Sequence, residues 1–271
     1  MSDPQPTRSR VAIVHCPDYG DGPVFDAVSE GLELLGGVER FVQPGEKLLL
    51  KPNLLTGKAP RKAVTTHPVV FKAVAQHFQD AGAELSYGDS PGFGRPESVA
   101  RRAGLAEVAG ELAIPFADFS EGDTVSFPDG HMIKQFTIAK GALAADAIIS
   151  LPKLKTHALT HMTGAVKNQF GCIPGFLKGE FHARMSEMDR FAQMLVDLTR
   201  LLHPRLYIMD AIVAMEGNGP GAGDPRPMAA LLLSEDPVAL DATACRMMHL
   251  DPLSVPTITW GQTLGLGSHD S

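Results

Sequence analysis

Three lysines (Lys153, Lys155, Lys167), two histidines (His157, His161) and an asparagine (Asn168) follow directly on the apolar run Ala147 to Leu151. A strand that ends in so many cationic and hydrogen-bonding groups suits an anionic ligand better than a core. The lysines would hold carboxylate or phosphate, and a histidine would move protons near neutral pH. His157 and His161 are four apart, which on a helix places both rings on one face, as a metal-ligand pair requires. Hydrogen bonding to substrate and core packing are the other outcomes, and no neighbouring Glu completes a zincin motif. His182 would be a third ligand only where the fold brings it near. Lys167 lies close to Phe170, Ile173 and Phe176. It is read as a charged clamp, with a desolvated base or nucleophile as the alternative. Cys172 is expected to be an ordinary buried thiol.

Other polar groups fall at the ends of predicted elements. Lys51 and Asn53 close one strand, and Asp89 and Ser90 follow another. In open α/β sheets ligands gather at the carboxyl ends of strands, so these positions are candidates to converge with Lys153 and Lys155. Solvated strand ends and turn caps are the structural alternative. Thr66 and His67 precede a helix, where they can cap it or stand beside N–H groups that receive an anion. Asp210 ends a strand and is expected to orient the site or bind a metal. Gly217 and Gly219 belong to a glycine-rich loop whose N–H groups can meet an anion. Asp236 reads as a helix cap, whereas Asp241 can face the site.

The elements that must position these groups alternate in type. Residues 10–15, 47–51, 84–87, 147–151, 206–209 and 228–233 read as strands, and 24–35, 69–81, 185–202 and 238–248 as helices. That alternation predicts an α/β fold with a mostly parallel sheet flanked by helices. A turn at 127–131 predicts a small hairpin-containing subdomain at 110–140 within a single domain spanning 1–271.

The chain has 271 residues, 44% hydrophobic, 20% charged and a net charge of −7. Such a length buries a sizeable core, and the acidic balance argues against non-specific nucleic-acid binding. No apolar run approaches the roughly 20 residues that span a bilayer. The polar start, Met1 to Arg10, has no signal-peptide core, so no membrane association and a cytoplasmic location are expected. The odd, scattered set of Cys16, Cys172 and Cys245 suits a reducing compartment and cannot supply a four-cysteine cluster.

Four stretches carry a family resemblance. They are KPNLL (51–55), TTHPVVFKAVAQHFQDAGAE with GDSPG (65–92), SLPKLKTH with GAVKNQFGCIPG (150–175), and MDAIVAMEGNGPGAGDPR with SEDPVALDATACRMMHLDP (209–252). On these the chain is identified as a member of the family of domain of unknown function 362, often iron-sulfur-associated. With the anion-binding residues above, the expectation is an uncharacterised family enzyme acting on a small carboxylated or phosphorylated metabolite, and the resemblance implies redox chemistry. Its implied cofactor is a metal ion or a partner-supplied iron-sulfur cluster, and its implied partner a ferredoxin-like redox protein. Family members commonly continue past the position of Gly265-Leu266-Gly267, a continuation expected to be absent here. The run Thr65 to Gly82, and the lysine before Ile173-Pro174-Gly175, also resemble short segments of nickel-pincer lactate racemases. That similarity implies a metal- or nickel-dependent racemase or isomerase as an alternative, although the racemases' full histidine set is not recognisable. A non-catalytic protein that binds a ligand or delivers a cluster is the alternative from another class.

Overall fold

The computed structural model describes residues 9–175, 177–185 and 187–270, without the side chains of 182 and 183. The polar start before Ser9, Phe176 and the His182 ring, each invoked above, lie outside the described residues.

The elements run β1 (Ala12–His15), α1 (Asp21–Leu34), β2 (Lys47–Pro52), α2 (Pro68–Asp80), β3 (Glu84–Tyr87), α3 (Pro96–Arg102) and α4 (Leu105–Glu111). Then come β4 (Gly122–Ser126), β5 (Gln135–Ala139), α5 (Lys140–Leu143), β6 (Ala147–Leu151), β7 (Lys153–His157), β8 (His161–Thr163) and α6 (Ala165–Asn168). The last are α7 (Leu177–Arg184), α8 (Met188–Leu202), β9 (Leu206–Glu216), β10 (Asp224–Ser234), α9 (Pro237–Met247) and α10 (Pro256–Thr263).

The main sheet has the order β1-β10-β9-β6-β2-β3, with β7 also on β9 and β8 on β7. Strands β3, β2, β6 and β9 are mutually parallel, while β10 and β1 add an antiparallel margin. Both faces are covered, which explains the near-continuous apolar runs of β2 and β6. Side chains alternate across a strand. Leu48 and Leu50 of β2, with Ile149 and Leu151 of β6, therefore join α1 and α2 in one core. Leu49 and Ile148 point the other way into a second core with Phe191 and Leu195 of α8. A third cluster gathers around α9. Fully burying side chains such as Phe71 and Phe78 contributes about 1.5–3 kcal/mol each.

The antiparallel hairpin β4–β5 forms where the turn at 127–131 places it. Its Phe136 and Ile138 share the second core with Ile148 and Phe191, so the hairpin packs onto the same body as the sheet. Helix α2 begins at Pro68, with its fixed φ at the first turn, and the chain leaves through Gly82 at φ 90°. Strand β9 is long, 11 residues, and runs beside both β6 and β7. The interruption at Pro152 thus leaves β6 and β7 as successive parts of one track along β9.

Candidate functional site

From β2 the chain crosses to β3 on one side, and β6, on the other side of β2, leads on towards β9. Strand order reverses between β2 and β6, and the carboxyl ends of these two strands open onto a cleft. The cleft has a volume of about 510 Å³ and includes Asn53 after β2, Asp89 and Ser90 after β3, and Lys155 of β7 in its lining.

Its floor is a continuous polar network. Lys51, fully buried, donates to Asp89 Oδ1 at 2.8 Å and to Asn168 Oδ1 at 3.2 Å. Asp89 Oδ2 accepts the Leu54 N–H at 2.7 Å. Lys155 Nζ donates to Asn53 Oδ1 at 2.8 Å and to the Val64 carbonyl at 2.7 Å. Asn168 donates to Ser150 Oγ at 2.9 Å. Thr66 Oγ1 accepts the Asn53 N–H and donates to the Leu151 carbonyl, tying the segment before α2 to β2 and β6. Burial pulls the Lys155 ammonium well below its ordinary pKa, and Lys167 and Lys153 reinforce this.

Lys167, on the short helix α6, is half-buried at the cleft wall, and desolvation alone lowers it to about 8. Among the described residues it has neither an ion pair nor a hydrogen-bond partner. Thr163 Oγ1, buried and also on the cleft, has no partner either. Lys178 of α7 bonds both the carbonyl and the hydroxyl of Ser90, and burial lowers it to about 8. Three lysines therefore line the cleft against one carboxylate, Asp89.

Lys153, His67 and Asp210 occupy a separate, closed network outside this lining. Lys153 Nζ lies 2.8 Å from Asp210 Oδ2 and 2.8 Å from Tyr19 Oη. Tyr19 donates to Asp210 Oδ1 at 2.9 Å, and the His67 N–H donates to Oδ2 at 3.0 Å. The Tyr19 and His67 rings stack at 3.6 Å. His67 Nδ1 accepts the Val69 N–H as the cap of α2, and burial lowers the ring's pKa to about 4. Asp210 thus fixes the entry to α2 through an ion pair shielded from the cleft.

The two histidines are not on one helix. They face each other across the β7–β8 hairpin, joined by a turn at 158–160. His157 lines the cleft, with Nδ1 accepting the N–H groups of Leu159 at 3.1 Å and Thr160 at 3.3 Å. In the neutral form of the ring the proton is therefore on Nε2. His161 is exposed, at φ 61°, and is outside the cleft lining. The helical spacing argument fails here because a four-residue separation also spans a hairpin with a three-residue turn.

The glycine-rich loop packs on β7. A β-carbon on Gly219 would lie 2.1 Å from the Thr156 carbonyl oxygen, and Thr156 Oγ1 donates to the Gly217 carbonyl at 3.0 Å. The Gly219 N–H is bonded to the Gly217 carbonyl, so the loop's cleft contribution is Pro220 in its wall. Asp236 caps α9 through the N–H groups of Val238 and Ala239, as its position implies. Asp241 does not face the cleft. It caps α6 by accepting from Ala165 at 2.6 Å and Val166 at 3.1 Å, and burial raises it to about 7.

The donor set does not fit a resident metal or cluster among the described residues, where no group of three or more His, Cys, Asp or Glu converges. Cys16, Cys172 and Cys245 lie in, respectively, the first, second and third core clusters. Lys178 and Thr163 were not singled out from the sequence. Lys178 follows closely after Gly175, its only signal, and Thr163 gives none. No helix among the described residues is long and apolar enough to cross a membrane.

The model of the family described as domain of unknown function (DUF362) matches residues 48–246, and the chain belongs to that family. It is 41% identical over 257 residues to the thylakoid-associated protein sll1697 of a Synechocystis strain, covering 94% of this chain and 79% of that protein. The lactate racemase apoprotein of Thermoanaerobacterium thermosaccharolyticum shares the fold with a TM-score of 0.54 at 12% identity, over 90% of this chain and 58% of the racemase. A crystal structure of a Thermotoga maritima protein aligns with a TM-score of 0.45 at 14% identity, over 88% of this chain and 60% of that one. The chain spans about three fifths of the length of these two solved structures.

Proposed function

We propose that this protein is an enzyme acting on a small carboxylated or phosphorylated metabolite bound in the cleft at the ends of β2 and β6. The observation that carries this is the excess of lysine over carboxylate on its lining, where Lys167 Nζ has no ion pair or hydrogen bond, and the buried Thr163 Oγ1 no partner, among the described residues. Buried cations without counterions are costly, and an anion entering the cleft relieves that cost. In this reading Lys155 and Lys178 hold the anionic group. Lys167, at about 8, holds charge below that pH and can exchange a proton near neutrality. His157, on the cleft lining with its Nδ1 holding the turn at 158–160, is the histidine placed to meet the substrate.

Redox chemistry rests on the family's iron-sulfur association and would draw on a ferredoxin-like partner for its cluster. The racemase fold supports no step through a resident nickel group, because the described donors do not assemble one. A cytoplasmic location is the first reading, supported by the free, buried Cys16, Cys172 and Cys245, which suit a reducing compartment. Peripheral attachment to a membrane is the second reading, favoured by the thylakoid association in the name of the 41%-identical relative.

The test is to incubate the protein with a panel of hydroxy acids, oxo acids and phosphorylated metabolites, with and without reduced ferredoxin, and follow them by NMR. Turnover of one compound, lost in Lys167→Met and His157→Ala while ligand binding survives in at least one, supports an enzyme. Binding without turnover in any form points to a carrier instead, and turnover retained in both variants contradicts these roles.

A further inference from the structure

Phe93 is 77% exposed, more than any other large hydrophobic side chain among the described residues, and it lines the mouth of the lysine cleft. An aromatic ring left in water needs a reason when it borders a site. It is not alone there. The N–H groups of Gly92 and Phe93 both donate to the Leu55 carbonyl, at 2.8 and 3.4 Å, which joins the two segments that carry Leu55 and Phe93. A β-carbon on Gly221 would meet Leu55 Cδ2 at 3.8 Å, so the loop bearing Pro220 closes the same rim. Leu55, Phe93 and Pro220 all line the cleft, and Phe170 adds a further apolar surface. The polar side chains Lys155, Asn53 and Asn168 are buried, whereas Phe93 stands at the water boundary.

Size points the same way. A cavity of about 510 Å³ lies within the roughly 300–1,000 Å³ typical of pockets that enclose drug-sized ligands, more than a three-carbon acid fills. A compact acid held by the lysines would leave the apolar rim untouched. Gly94 at φ 96° follows Phe93, a backbone state that glycine reaches without strain. The ring is thus carried on a glycine-flanked turn between Gly92 and Gly94.

We infer that the cleft takes an amphiphilic anion: a carboxylate or phosphate held by Lys155, Lys167 and Lys178, attached to an apolar, ring-sized body that packs against Leu55, Phe93 and Pro220. This rests on the anion-binding reading proposed above and names its substrate class. Phe93 is a specificity-determining residue, and packing against it selects ring-bearing anions over compact ones.

The experiment is calorimetric titration of the full chain with acetate, benzoate and 2-naphthoate, alongside inorganic phosphate. Affinity is expected to climb along the carboxylate series, on the order of a hundredfold from acetate to 2-naphthoate given the apolar area removed from water. Phe93→Ser should remove about tenfold of the gain for 2-naphthoate and leave acetate and phosphate unchanged, while Phe93→Tyr preserves the gain. Because Phe93 is exposed, an unchanged Tm should accompany the serine variant. A flat series in the parent protein, or a climb that Phe93→Ser does not reduce, overturns the inference while phosphate binding leaves the anion site standing. Absence of binding by all four anions overturns the anion site and the inference with it.

Discussion

Gly171 sits so close to Asp89 that a β-carbon on the glycine would fall 1.7 Å from Asp89 Oδ1 and 2.8 Å from Lys51 Nζ. Backbone and ion pair are thereby locked together at the cleft floor, and the Ser90 N–H donates to the Gly171 carbonyl at 2.9 Å. Gly171→Ala must displace either the carboxylate or the chain, and overpacking of this kind costs about 1–3 kcal/mol. Denaturant unfolding should show that loss. Gly110→Ala, in helix α4 with nothing near its added carbon, should instead gain about 0.5–1 kcal/mol. Equal behaviour of the two variants would contradict the packing described.

The Lys153–Asp210 pair is expected to be structural. Truncating one partner leaves a buried charge alone, so Asp210→Ala should destabilise by about 3–5 kcal/mol. The double variant Lys153→Met with Asp210→Leu should recover a large part of that loss. A double variant as unstable as the single one would show that the network does more than balance charge.

Lys167 carries a pH signature. Its ammonium titrates at about 8 in the ligand-free fold, whereas an unfolded lysine titrates near 10.4. Between those values the unfolded chain binds more protons, so this group makes stability rise with pH across that window. The buried thiols of Cys16, Cys172 and Cys245, all raised by burial, act in the opposite sense above about pH 8.5. The difference between parent and Lys167→Met isolates the lysine. The variant should melt about 2–5 °C higher at pH 7, with the gain disappearing towards pH 10. A gain that does not change with pH would contradict the desolvated ammonium.

His157 and His161 should separate cleanly. His157→Ala removes the acceptor for two turn N–H groups as well as a ring on the cleft lining, and should weaken anion binding about tenfold or abolish turnover. His161→Ala, on an exposed residue outside the cleft, should change binding less than about twofold. Equal losses would restore the paired-histidine reading.

Much of the scaffold was legible because apolar runs such as 47–51 and 147–151 are buried on both faces and bounded by turns. The strand-end rule brought Asn53, Asp89, Ser90 and Lys155 to one cleft. The same rule grouped Lys153 with them, although it pairs with Asp210 in a closed network instead. The β7–β8 hairpin was missed because histidine spacing outweighed the alternation in Lys153-Leu154-Lys155, which is a strand pattern with Leu154 in the core opposite the lysines. Asp241 was misplaced for want of any sequence signal that α9 caps α6. Lys178 and Thr163 reach the cleft only through tertiary packing, and neither forms a local motif.

The central claim is that the cleft lysines bind an anion. Calorimetric titration with inorganic phosphate at pH 7 and pH 9.5, on the parent and on Lys167→Met, tests it most directly. Saturable binding at pH 7 is predicted, weakened about tenfold or more at pH 9.5 as Lys167 and Lys178 lose their protons, and weakened at pH 7 in the variant. No binding at pH 7, or an affinity indifferent to both pH and Lys167→Met, would contradict it.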